Sequence, residues 1–200
     1  MGKYDFEIAE SQIAKVPAAP RDHARLLIYK PKENRVILDY FYNLAEHLPP
    51  QSFLVMNQSK VLPSRITCFK ESGGKVELLL LTNEFEAGDE SIKAASDRKI
   101  EVGQTLTWAK KYKFQIVKQE EQFFFLKPNF AWKHLPDLLK KFGATPIPKY
   151  IKNSPLTEKE KRKKYQSLFA KTPGSIAAPT ASLHFTNRVF RNLDEKKIPQ

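Results

Sequence analysis

Between residues 65 and 126 the chain passes through short apolar segments joined by polar connections, and a chain spaced this way buries itself by pairing strands. Residues 65–69, 75–82, 104–108, 113–117 and 122–126 each read as a strand. The pair Gly73-Gly74 sits between the first two and marks a hairpin turn. Such a succession predicts a small antiparallel β domain, closed into a barrel.

The flanking sequence has a different grain. RLLIY at 25–29 reads as a buried strand and PKEN at 31–34 as a turn, with VILDYF after it as a second strand or an edge. Residues 42–48 suit a short helix stopped by Pro49 and Pro50. FLVMN at 53–57 is strand-like and ends on Asn57, Gln58 and Ser59. After Pro128 the period becomes helical. Leu135, Leu138, Leu139 and Phe142 recur on one face, with Pro136 in the first turn and Gly143 at the stop. Thr157 with Glu160 predicts a capping box opening a second helix, with Tyr165, Leu168 and Phe169 on its buried face. Thr186 is placed to cap a last helix carrying Val189, Phe190 and Leu193.

Charge narrows the partners. The net charge is +12, and residues 141–200 hold 13 Lys and Arg against 4 Asp and Glu. The densest run is KEKRKK, Lys159 to Lys164. A field of this kind favours polyanions such as RNA; the plainer reading is a solvated, lysine-rich helix. No stretch approaches eighteen uncharged apolar residues and MGKYDFEIAE lacks a secretory apolar run, so no membrane partner and a cytoplasmic setting are expected. Cys68 is the only cysteine, which excludes an intrachain disulfide and a cysteine-based zinc site. His23, His47, His134 and His184 stand far apart, and no metal is expected.

Phosphate-binding loops, dinucleotide fingerprints and nucleophile elbows are absent from the sequence. Three clusters remain. Arg21-Asp22-His23 with Arg25 offers guanidinium groups for an anion beside an acid–base group, or forms a local salt-bridge turn. Asn57-Gln58-Ser59 with Arg65 lies at the open end of a strand, where Asn57 binds a ligand or simply caps a turn. The stretch from Gly174 to Thr186 has so little side-chain volume that its backbone can approach a ligand, and it carries His184, which is either structural or functional.

Six segments occur in a telling order. RDHARLL (21–27) resembles RDxSRLL, and LVMNQSKVLPSRI (54–66) resembles LVxNxTRVIPARL. GGKVELLLL (73–81) resembles GGKxEVLLL, and PIPKYI (146–151) resembles PLPPYI. KKYQSLFAKTPG (163–174) resembles RYQTVYAxxPG, and PGSIAAPTASLHFT (173–186) resembles PGSVAAPTAGLHFT. These are signature elements of the S-adenosylmethionine:tRNA ribosyltransferase-isomerases of queuosine biosynthesis, and the resemblance runs from about Phe6 to Phe190. Departures are Ala24 for serine, Gln58 and Ser59 for aspartate and threonine, Lys149 for proline and Ser182 for glycine, with Ala95-Ser96-Asp97 where an Arg-Pro pair is usual.

The resemblance implies an α/β fold, a larger mixed α/β domain interrupted by a smaller antiparallel β-barrel-like domain. The divisions are 1–60, 61–148 and 149–200. It implies a chain truncated relative to the family, whose downstream motifs LHVGxGTFxPV and HxMHxE are missing here. The implied reaction transfers and isomerises the ribosyl moiety of S-adenosylmethionine onto 7-aminomethyl-7-deazaguanine at the tRNA wobble position. A base removes the C5′ proton that the sulfonium acidifies, and epoxyqueuosine forms with release of adenine and methionine. S-Adenosylmethionine is thus a substrate, and the partner is a tRNA with a GUN anticodon; the full-length protein is expected to be a monomer. By motif position, His184 and Thr180 are catalytic. Arg21, Asp22, Arg25, Asn57, Gly174, Ala177, Ala178, Pro179, Phe185 and Thr186 bind S-adenosylmethionine. Arg65, Lys161, Arg162, Lys163 and Lys164 face tRNA. The competing expectation is a non-catalytic tRNA-binding module on the same scaffold.

Overall fold

The computed structural model describes residues 6–86 and 88–200. In chain order its regular elements are β1 (Arg25–Lys30), β2 (Arg35–Tyr40), α1 (Leu44–His47), β3 (Ser59–Val61), β4 (Arg65–Lys70), β5 (Lys75–Leu80), β6 (Ile92–Ser96), β7 (Thr105–Trp108), β8 (Tyr112–Glu120), β9 (Phe123–Pro128), α2 (Leu135–Phe142), α3 (Glu158–Lys164), β10 (Thr172–Ser175) and α4 (Asn187–Glu195). They fall into two compact units. One takes the chain up to Gln58 together with Ile147–Phe169 and Pro179–Gln200; the other takes Ser59–Pro146 and Ala170–Ala178. The fold is therefore mixed α/β with a closed antiparallel barrel, as the sequence predicts.

The barrel closes in the order β4-β5-β6-β9-β8-β7, every neighbouring pair antiparallel. Alternate residues of each strand point inward, as strand geometry requires. Ile66, Cys68, Val76, Leu78, Leu80, Leu106, Trp108, Phe114, Ile116 and Leu126 lie in one core with almost no exposure. At the β4–β5 turn Gly73 adopts φ 82°, and the Lys70 and Gly74 backbones bond across it. Ile116 pairs with Leu126 and Lys118 with Phe125, so Val117 is the extra residue of a bulge that curves the long strand β8. Helix α2 sends Leu135, Leu138 and Leu139 into the same core. Gly143 ends α2 at φ −81°, not in the left-handed region. Its role is close approach, because a Cβ there would meet the Pro63 carbonyl oxygen at 2.0 Å. Burial pushes the Cys68 thiol up to about 12, which leaves it an inert core group. A parallel pairing of β10 with β3 completes this unit.

In the other unit β1 and β2 form a two-stranded antiparallel ribbon. Phe41, Ala45, Phe185, Val189, Leu193 and Ile198 form its core, with Leu26, Leu54, Met56, Phe169 and Phe190 packed against them. Three expectations fail here. Residues 25–29 form a strand but not a buried one, since Leu27 is 64% exposed and Tyr29 is exposed too. A lone ribbon has one face to pack, and here Leu26 is on it. Residues 53–57 form no regular strand. Leu54 donates its N–H to the Pro199 carbonyl at 2.8 Å, but among the described residues no strand pairs with this segment to build a ladder. Leu168 is exposed as well, because α3 ends at Lys164 and the chain beyond it leaves the helical register.

Candidate functional site

The site is built on the turn at Arg21–His23, a single turn of 3-10 helix leading into β1. The Arg21 guanidinium donates from Nη1 to the Gln166 carbonyl and from Nη2 to the Lys163 carbonyl, both at 2.7 Å. It therefore caps the C-terminal end of α3, where carbonyls lack intrahelical partners. The start of α3 is fixed by the predicted capping box: Glu160 N–H donates to Thr157 Oγ1 at 3.3 Å, and Thr157 N–H donates to Glu160 Oε2 at 2.8 Å. The basic run Lys161 to Lys164 is the last turn of this helix, where positive charge complements the helix dipole. Arg162 within it also pairs with Glu158 at 2.9 Å.

Asp22, 2% exposed, is the buried carboxylate of the site. Its Oδ2 accepts from Thr186 Oγ1 at 2.6 Å and from Arg188 Nε at 3.0 Å. Burial alone would raise its pKa, but the hydrogen bonds from Thr186 and Arg188 and the Arg188 charge outweigh that and hold the carboxyl below its ordinary value. Thr186 at the same time caps α4 by accepting from Val189 N–H at 3.4 Å. The Arg188 guanidinium lies over the Tyr42 ring, 4.4 Å from its centroid. Asp22 Oδ1 and Arg188 Nη2 are buried with no hydrogen-bond partner among the described residues.

His184 ends the 3-10 turn Thr180–His184 and is half-buried, its ring 5.3 Å from that of Phe41. Burial lowers its pKa. A hydrogen bond to the Arg21 backbone opposes this by favouring the protonated form, as a carbonyl acceptor does, and the Arg21 charge lowers it again. Burial thus favours the neutral imidazole, which carries one donating and one accepting nitrogen. It lines a cavity of about 560 Å³ together with Thr180 and Leu183. Ile13, Val16, Tyr150, Ile151 and Tyr165 line it too. Burial, then the neighbouring Tyr150, pushes the Tyr165 phenol up, so its hydroxyl remains a donor. A volume of this size with apolar walls and a few polar groups suits a small organic ligand carrying a flat ring.

Of the residues singled out in the sequence, the structure brings His184 and Thr180 together on this cavity, sets Arg21 beside His184 and joins Asp22 to Thr186. Phe185 is buried in the core behind, against Phe41 at 5.0 Å, and Pro179 leads into the Thr180 turn. Arg25, on β1, and Asn57 are exposed and do not line it. Gly174, Ala177, Ala178 and Arg65 belong to the barrel unit, where Ser175 Oγ donates to the Ala177 carbonyl at 2.8 Å. Arg188, Tyr42 and Tyr150 escape a sequence reading. Arg188 lies two residues past Thr186, and only its return to Asp22 gives it away. Among the described residues no group of three or more His, Cys, Asp or Glu is placed to hold a metal ion, and no helix is long and apolar enough to cross a membrane.

The profile of the family described as "Queuosine biosynthesis protein" matches residues 1–200. An S-adenosylmethionine:tRNA ribosyltransferase-isomerase of Aquifex aeolicus is 36% identical over 196 residues, covering 98% of this chain and 57% of that protein. The protein of the same name from Desulfotalea psychrophila is 36% identical over 204 residues, covering 98% and 56%. A crystal structure of an S-adenosylmethionine tRNA ribosyltransferase from Thermotoga maritima aligns over 98% of this chain and 55% of its own at 23% identity, with a TM-score of 0.36, too loose a match to carry an argument. The chain thus spans a little over half the length of the curated relatives it matches.

Proposed function

The chain belongs to the queuosine biosynthesis protein family, and from that premise we propose that it serves S-adenosylmethionine-dependent ribosyl transfer and isomerisation on tRNA. The product is epoxyqueuosine, made from 7-aminomethyl-7-deazaguanine at the wobble position, with adenine and methionine released. The observation that carries this reading is the cavity on which His184 and Thr180 meet.

Its residues fit the ligand by chemistry. Tyr150, Tyr165 and the aliphatic wall suit a purine, and Thr180 offers a hydroxyl for polar groups of the ribose. When bound, S-adenosylmethionine supplies a sulfonium that acidifies the neighbouring C5′ proton. His184, neutral and with one nitrogen accepting, is the group that receives a proton here. By motif position Arg21, Arg25 and Asn57 also contact S-adenosylmethionine. The tRNA phosphates are met by Arg65 and the last turn of α3, Lys161 to Lys164, where positive charge is concentrated.

The test is adenine release by the protein with S-adenosylmethionine and tRNA carrying 7-aminomethyl-7-deazaguanine, with the modified nucleoside followed in parallel. Adenine and epoxyqueuosine form in step, and His184→Asn slows both by about 10²–10⁴-fold, the usual worth of a general acid or base. Tight tRNA binding with neither product from folded protein overturns the catalytic reading and leaves a tRNA-binding module.

A further inference from the structure

The segment from His184 to Thr186 is held at both ends by one turn. The His184 ring lies against the Arg21 backbone, and the next residue, Asp22, accepts from Thr186 Oγ1 at 2.6 Å. Between these two anchors Phe185 is buried against Phe41 and Phe190, so the segment cannot slide along its axis. Asp22 also fixes Arg188, in the first turn of α4, and Arg188 lies on Tyr42, whose carbonyl accepts from Asn192 Nδ2 at 2.9 Å.

We propose that Asp22 is a positioning residue for His184, latching Thr186 so that the imidazole keeps its place beside the Arg21 backbone on the cavity. This rests on the reading of His184 as the proton-accepting group. The distances leave little slack. Thr186 Oγ1 serves Asp22 and the Val189 amide at once, so loss of the carboxylate frees the hydroxyl to turn and loosens the first turn of α4. The charged and titratable groups facing His184 are the Arg21 guanidinium, the Asp22 carboxylate through Thr186, and the Tyr150 and Tyr165 phenols across the cavity.

The experiment follows the His184 ring by NMR across a pH titration of the whole protein, in wild type, Asp22→Asn, Thr186→Val and Thr186→Ser, alongside steady-state kinetics. Asp22→Asn and Thr186→Val are expected to move the His184 midpoint up toward that of an exposed histidine, while Thr186→Ser, which keeps the hydroxyl, leaves it in place. Turnover in Asp22→Asn falls about a hundredfold with KM within about twofold, the effect of misplacing a reacting group by roughly an ångström. Should Asp22→Asn fail to fold, Thr186→Val decides, since it leaves the Asp22–Arg188 ion pair intact. A His184 titration that superimposes on wild type in both latch variants overturns the proposal. Absence of turnover in the wild type sinks the catalytic reading instead, and the titrations still settle the latch.

Discussion

The barrel and the β1–β2 ribbon are both antiparallel and both rich in large apolar side chains, but they deal with them in opposite ways. In the barrel six strands close on themselves, so no edge is left and each inward side chain meets others from across the ring. Trp108 is 1% exposed among Phe114, Phe130 and Phe142. In the ribbon Leu27 pairs with Leu38 and Tyr29 with Val36 on one face, and all four are exposed, Leu38 at 77%. Its other face carries Leu26 toward the core, and Asp39 ties it to α1 through Asn43 Nδ2 at 2.9 Å and His47 Nε2 at 2.7 Å. The barrel is held by what it buries, the ribbon largely by a polar clasp. Two strands cannot cover both of their faces, whatever their composition.

The largest effect expected from this difference is in the barrel. Trp108→Ala should lower stability by about 3–5 kcal/mol, read from urea unfolding followed by tryptophan emission. Both tryptophans, Trp108 and Trp132, lie in the barrel unit, so that signal reports on it alone.

Next comes acid. Hydrogen bonds from His47, then Asn43, then the Tyr40 amide hold the Asp39 carboxyl down at about 2, below the ordinary 3.8. A carboxylate depressed in the folded state contributes its stabilisation above about pH 4 and loses it as pH falls through 2. Amide exchange at Tyr40 and Asn43 should therefore rise between pH 4 and 2 before tryptophan emission changes. Asp39→Asn should remove that pH dependence; simultaneous loss of both signals would contradict a separate clasp.

The smallest effect belongs to the open face. Leu38→Ala should change stability by no more than about 0.5 kcal/mol, as at other exposed positions. A loss of about 2 kcal/mol or more would mean that this face is covered in solution and that the contrast with the barrel is one of partners.

Much of the local structure was legible in the residues. The Gly73 turn, the Thr157–Glu160 box, the Thr186 cap and the strands at 65–69 and 104–108 stand where the sequence puts them. β6 was not legible, because Ile92–Ser96 offers one large apolar residue and its alanines favour strands little. It is a strand because β5 and β9 lie on either side of it. In the site, the signature pointed to His184 and Thr180, but nothing near Asp22 in sequence marks Thr186 or Arg188 as its partners, more than 160 residues away.

What the sequence determined by itself is what hydrogen bonds across three or four residues can fix: turns, caps, helix starts and the alternation that makes a strand. The tertiary structure alone decided which apolar faces are covered and which are open. It made Gly143 a point of contact with the Pro63 carbonyl, and it brought Thr186 and Arg188 back to Asp22. These depend on groups brought together from distant parts of the chain, and such pairings leave no local signal, since each partner alone suits many neighbours.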